Sequence, residues 1–382
     1  MAYRSSWMTD DIASFSEQFR RYLQTELAPH AMRWREEKMV DRSAWRGLGD
    51  MGALLCSVPE EYGGMGLSFA WDAAVMQELE TWLPEMATGV SVHSVITAHY
   101  INAYGTHEQK LKWLPKMAKG EWVGAIAMTE PGAGSDLQGV RTTARRDGDH
   151  YVINGAKTFI TNGQLADIIV CVVKTDPAKG SKGISLVVIE TEGAEGFRRG
   201  RNLDKIGLNA SDTSELFFDE LRVPVANLLG DGEGQGFVQL MQQLPQERLG
   251  LSIQAIAAIE RSVAITTEYV KERKAFGKSL LDFQNTAFKL AERKTEATIG
   301  RVFIDHCIER LIAGDLDTVT ASMAKQWVTD KQSQTADECL QLHGGYGYMQ
   351  EYEISRRYID ARIQRIYGGT NEIMKLVISR SL

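Results

Sequence analysis

The chain has 382 residues and a formal net charge of −7, from 43 Lys and Arg against 50 Asp and Glu. That length suits two or three domains with a sizeable core, and the acidic balance excludes general charge-driven binding to nucleic acid while allowing a local basic pocket for phosphate. With 43% hydrophobic and 24% charged residues, the composition is that of an ordinary soluble globular protein.

Residues 1–122 read as an N-terminal all-α domain. In DDIASFSEQFRRYLQTELAPHAMRW, Ile12, Phe15, Phe19, Tyr22 and Leu23 fall at helical spacing on one stripe, with Asp10 as the expected cap. PEEYGGMGLS, residues 59–68, reads as a loop between helices. The texture changes near residue 123. YVINGAKTFITN carries Asn154-Gly155 between two β-prone runs, the pattern of a hairpin turn. ADIIVCVVKT, KGISLVVIE and SELFFDELRVP follow, so residues 123–235 are predicted as a small β domain of barrel or sandwich type. From 236 to 382 the helical pattern returns. Ile253, Ile256, Ile259, Val263 and Val270 share one side of a helix, and two more long amphipathic stretches follow with short links. That is the pattern of an antiparallel bundle. The predicted fold class is α+β, mainly α: helices, small β-barrel, helical bundle.

Several motifs stand out against this frame. GLGDMG, residues 47–52, matches G-x-G-x-x-G in letters, but the helix-like DRSAWR precedes it where a dinucleotide fingerprint needs a strand. It reads as a helix and turn. AMTEPGAGSD, residues 127–136, sets a tight glycine loop between Thr129 and Ser135. Its exposed N–H groups and hydroxyls suit a polar ring edge or a phosphate, and it equally suits a connector into the β domain. In ERKAFGKSLLDFQ, residues 272–284, Arg273 or Lys274 can simply complement a helix C-terminus. QLHGGYG, residues 341–347, pairs an amide with a bare glycine turn. IYGGTNE, residues 366–372, interrupts a helical C-terminus with two glycines, each costing a helix about 1 kcal/mol relative to alanine.

Cys56, Cys171, Cys307 and Cys339 are scattered without a CxxC pair, which fits reduced thiols and argues against zinc. The seven histidines show no metal-ligand spacing. No apolar run reaches the roughly 18 residues of a membrane span, and MAYRSSWMTDDIASFSEQ, with Asp10, Asp11 and Glu17, resembles no targeting peptide. The expected location is cytoplasmic.

Taken together, TEPGAGSD, NGAKTFITNG, ERKAFGK, QLHGGYG and IYGGTNE resemble, in order, the motif set of the acyl-CoA dehydrogenase family of flavoproteins. The resemblance spans essentially the whole chain. It implies bound FAD, a homotetramer or dimer, oxidation of an acyl-CoA thioester to the trans-2-enoyl-CoA, and electrons passed to an electron-transferring flavoprotein. By motif it implies that Ile126, Met128, Thr129 and Ser135 contact the isoalloxazine, with Phe159 and Thr161 over its other side. Thr370 and Glu372 would hold the diphosphate and adenosine portion. Arg273, Phe276, Gln284, Gln341, Gly344 and Gly345 would reach the cofactor of a neighbouring subunit. A guanidinium fork suits pyrophosphate oxygens. Ser135 and Arg248 are implied substrate contacts, with the Gly368 and Gly369 N–H groups on the thioester oxygen.

One position departs from the family pattern. Many members carry their catalytic glutamate where this chain has Gly368. In the long-chain and isovaleryl branches the base instead stands on the helix that begins the C-terminal domain, and QLPQERLGLS supplies Glu247 there. Gly368 would then leave room for the incoming Glu247 side chain. Read without the resemblance, Pro245 looks like a helix N1 residue and Glu247 like an acid complementing the helix dipole. The placement of the base leans toward medium-to-long or branched acyl groups, isovaleryl-type substrates being the chief competitor. An oxygen-using flavin oxidase and a non-catalytic scaffold of the same fold are the rival functions.

Overall fold

In a computed structural model, residues 3–382 are described, and Met1 and Ala2 of the predicted first domain lie outside them. The chain opens with helices α1 (Asp10–Tyr22), α2 (Ala31–Glu37), α3 (Arg42–Asp50), α4 (Phe69–Trp82), α5 (Pro84–Val90), α6 (Ala98–Tyr104) and α7 (His107–Ala118). The α1 cap is Thr9, whose hydroxyl accepts from the Ile12 N–H at 3.3 Å, and not the expected Asp10, which is already inside the helix. Ile12, Phe19 and Leu23 of the apolar stripe are buried. Gly47 and Gly49 of the fingerprint-like stretch lie in α3. A Cβ on either would sit 2.0 Å from the Tyr22 hydroxyl or 2.4 Å from the Lys119 backbone, so they serve close packing.

Strands β1 (Gly124–Ala127), β2 (Thr143–Asp147), β3 (His150–Thr161), β4 (Ile168–Lys174), β5 (Ile184–Glu190), β6 (Phe197–Asn202) and β7 (Thr213–Pro224) form one sheet in the order β1-β4-β2-β3-β7-β6, with β5 also on β4. Asn154-Gly155 is not a hairpin turn. It lies within β3 beside a register shift against β7, and Thr142 approaches so closely that a Cβ on Gly155 would meet its hydroxyl at 2.5 Å. The hairpin joins β2 to β3 through Gly148, at φ +65°.

The C-terminal part holds α8 (Gly236–Glu272), α9 (Gln284–Ile312), α10 (Thr318–His343), α11 (Glu353–Ala361) and α12 (Asn371–Ser379), with a small hairpin of β8 (Lys274–Ala275) and β9 (Lys278–Ser279) after α8. Ile253, Ile256 and Ile259 of α8 are buried in a core shared with α4, α9 and α10. Alone among the described helices, α8 is long and apolar enough for a membrane, but 78% of that apolar window is buried inside the protein. Pro245 is no N1 residue: α8 starts at Gly236, so Pro245 and Glu247 sit well inside it. The helix dipole therefore gives no account of Glu247.

Candidate active site

A cavity of about 390 Å³ opens where the helical elements meet the sheet. Its walls come from Thr88 to Ile96, the end of β1 and its loop, Phe159 to Thr161 of β3, Phe237 to Leu251 of α8, and the segment around Tyr367 to Gly369. A second space of about 270 Å³ shares Thr88, Phe159, Thr161 and Tyr367 with it and continues along Leu203 to Leu208. Ten sequence-predicted residues line the first cavity: Ile126, Met128, Thr129, Ser135, Phe159, Thr161, Glu247, Arg248, Gly368 and Gly369.

A buried ion pair fixes the β-domain wall. Lys157 Nζ lies 2.8 Å from Glu130 Oε1 and donates to the Met128 carbonyl at 3.0 Å. Glu130 also accepts from the Arg141 and Thr142 N–H groups at 2.6 and 2.9 Å. Burial works to raise the Glu130 carboxyl, yet the Lys157 charge and these donors hold it below its usual value. Glu130 and Lys157 thus tie the glycine loop to β3. Both lie inside the quoted motifs, but the charge of Lys157 at a buried position of β3 was the only sequence sign of the role.

Immediately after Lys157, β3 slips register against β7, and Phe159 takes a left-handed φ of +60° with 67% of its surface exposed. A strained, exposed phenylalanine on a cavity wall is a functional signal. With Ile126 and Met128 it gives an apolar face, while Thr129, Ser135 and Thr161 add hydroxyls with no hydrogen-bond partner among the described residues. This combination suits a planar heteroaromatic ring with polar edges, and the flavin fits it.

Glu247, on α8, lines the same cavity and is 7% exposed. Tyr100 Oη donates to its Oε1 at 2.7 Å. Burial pushes the carboxyl up to about 7, opposed by the Tyr100 hydrogen bond and the Arg248 charge. Arg248 is buried too. Its Nη1 donates to Ser322 Oγ at 3.0 Å, and its Nε has no partner among the described residues. The Gly368-Gly369 turn has φ of +63° and +91°. Lys325 Nζ holds it, donating to Gly369 O at 2.7 Å and to Asn371 Oδ1 at 2.9 Å. Neither glycine N–H finds an acceptor among the described residues, which leaves both available to a ligand. The expected use of Gly368 needs correction. A Cβ there would meet Leu251 Cδ1 at 2.3 Å, so the glycine makes room for Leu251, one turn beyond Glu247. Neither Tyr100 nor Lys325 was signalled by the sequence, because each sits inside a helix with no motif around it.

The remaining predicted residues lie elsewhere. Thr370 caps α12, its Oγ1 accepting from Ile373 N at 3.3 Å, and Glu372 is exposed in the first turn. Arg273 follows the far end of α8, its guanidinium 5.4 Å from the Tyr346 ring centre next to Gly344 and Gly345. Phe276 tips the β8–β9 hairpin, 96% exposed, just before Gln284 at the start of α9, while Gln341 lies in the last turn of α10. Glu247 and Arg273 are 26 residues apart, or roughly 39 Å along the helix. The two groups therefore form separate clusters in one chain.

Residues 9–121, 125–221 and 234–382 match the acyl-CoA dehydrogenase N-terminal, middle and C-terminal domains respectively. The long-chain specific acyl-CoA dehydrogenase of Sus scrofa mitochondria is 46% identical over 370 residues, covering 96% of this chain and 85% of that protein. The crystal structure of an acyl-CoA dehydrogenase from Geobacillus kaustophilus is 48% identical with a TM-score of 0.96 over 99% of both chains. A glutaryl-CoA dehydrogenase from Mycobacterium smegmatis, solved in complex with FADH2, is 30% identical with a TM-score of 0.92, over 98% of this chain and 95% of that one. The protein is an enzyme of the acyl-CoA dehydrogenase family.

Proposed function

We propose that the chain oxidises the Cα–Cβ bond of an acyl-CoA thioester to the trans-2-enoyl-CoA, with Glu247 as the base. The observation that carries this is a buried carboxyl, hydrogen-bonded by Tyr100 and pushed by burial to about 7, lining the same cavity as Phe159. Such a group is poised to take a proton near neutral pH. FAD is the cofactor, and when bound it accepts the β-hydrogen as hydride. The chain's part is placement. Phe159, Thr161, Ile126, Met128, Thr129 and Ser135 receive the ring. The Gly368 and Gly369 N–H groups face the thioester oxygen, where each preorganised donor is worth about 10²–10³-fold in rate. Arg248 and Ser135 contact the CoA-bearing part of the substrate. The apolar lining of Val92, Ile96, Phe237, Met241 and Leu244 favours a long acyl chain, as does the long-chain specific relative.

Electrons leave to an electron-transferring flavoprotein. The exposed cluster of Arg273, Phe276, Gln284, Gln341, Gly344 and Gly345 reaches the cofactor of a neighbouring subunit in a homotetramer, and Thr370 and Glu372 hold the diphosphate and adenosine portion. Glu247→Gln should keep the yellow FAD and lose flavin reduction by acyl-CoA by several orders of magnitude in stopped flow. Full-speed reduction in that variant refutes the assignment.

A further inference from the structure

Glu247 lies on α8, yet its hydrogen-bond partner comes from α6, 147 positions earlier in the chain. The reason is local. Between α5 and α6 the helix widens into a π-helical stretch, Ser91–Thr97. One extra residue in a turn rotates every later side chain by about 100° about the axis. The Val95 carbonyl in that stretch accepts from Gln246 Nε2 at 3.0 Å, which pins it to the residue just before the base. Tyr100 follows, fully buried, with its hydroxyl on Oε1.

We propose that Tyr100 is the positioning residue of the base: it occupies Glu247 Oε1, fixes the carboxylate plane, and leaves Oε2 as the atom that receives the substrate α-proton. This rests on the assignment of Glu247 as base. The Cα–H bond breaks, its electron pair stays on the substrate, and the proton bonds to Oε2, while Tyr100 keeps its own proton. Burial and the facing Glu247 charge hold the phenol far above its ordinary range, so it remains a donor throughout. The other titratable and charged groups around the site are accounted for. His99 Nε2 pairs with Gln243 at 2.6 Å, and Tyr104 donates to Gln242 at 2.9 Å. Arg248 and Lys325 face Ser322 and Gly369. Asp136 and Tyr367 line the cavity without bonding Glu247.

The test is Tyr100→Phe in the holoenzyme, which keeps the ring and removes the donor. A hydrogen bond to a carboxylate is worth roughly one to two pH units of its titration. The midpoint of the pH–rate profile for flavin reduction should therefore rise by about that much, giving a ~5- to 50-fold loss at pH 7 that recovers toward high pH, with KM and FAD content held. Infrared titration of the Glu247 carboxyl, read without turnover against Glu247→Gln, should show the same rise. A 3-fluorotyrosine at position 100, a stronger donor of the same shape, should move the midpoint down. An unshifted titration in these variants overturns the proposal, as does a fall in FAD content or thermal stability with no shift. If Glu247→Gln instead reduces flavin at full speed, the base assignment fails and not merely the role of Tyr100.

Discussion

Holding Glu247 in a buried wall makes the fold sensitive to pH in a way that glutamine would abolish. Its carboxyl is raised from 4.5 to about 7 by burial. The folded state therefore binds that proton more tightly than the unfolded chain, and the group favours folding fully below about 4.5. That contribution is lost as pH rises through about 7. A rise of 2.5 units at about 1.36 kcal/mol each makes the ionised form unfavourable by up to ~3 kcal/mol at pH 8. Glu247→Gln stays neutral and its amide oxygen can keep the Tyr100 hydrogen bond. At about 2.1 cal/mol/K per residue over 382 residues, 3 kcal/mol corresponds to a Tm gain of roughly 4 °C at pH 8. Near pH 4.5 the gain should vanish. Thermal unfolding of both holoenzymes at matched FAD content, at pH 5 and pH 8, measures it. A variant no more stable at pH 8 than at pH 5, relative to wild type, refutes the reasoning.

Moving the base to the other element should require clearing its path. Glu247→Ala with Gly368→Glu should stay inactive because of the Leu251 contact and the φ of +63°, and adding Leu251→Ala should recover part of the flavin reduction. Equal recovery without the third change would show that Leu251 is no obstacle. Lys157→Met leaves Glu130 buried and unpaired, so stability in chemical denaturation should fall by about 3–5 kcal/mol with loss of bound FAD. Phe276→Ala, at a 96% exposed position, should leave secondary structure intact and lower FAD retention together with oligomer mass in light scattering. An unchanged flavin content would remove Phe276 from the cofactor site.

The sequence carried the family and the order of helices, barrel and helices, because long apolar stripes and consecutive motifs are local signals. Through the resemblance it also named Ile126, Met128, Thr129, Ser135, Phe159 and Thr161, which the fold gathers on one cavity. Where it misled, a local sign met a tertiary cause. Asn154-Gly155 looks like a turn, yet the glycine answers to Thr142, just before the neighbouring strand β2. Pro245 looks like a helix start, yet the apolar core shared by α8 with α4, α9 and α10 carries the helix through it. Tyr100, Lys157 and Lys325 act on partners between 27 and 147 positions away, a separation that no short motif can encode.

The strained Phe159 has a consequence for the cofactor-free protein. With the slot unfilled, a phenyl ring in an unfavourable backbone conformation faces water next to two apolar side chains. Flavin uptake should therefore dehydrate that wall and show a negative heat-capacity change in calorimetry. The stripped chain, with this wall bare, should bind hydrophobic dyes and clump on warming, and added FAD should reverse the dye binding.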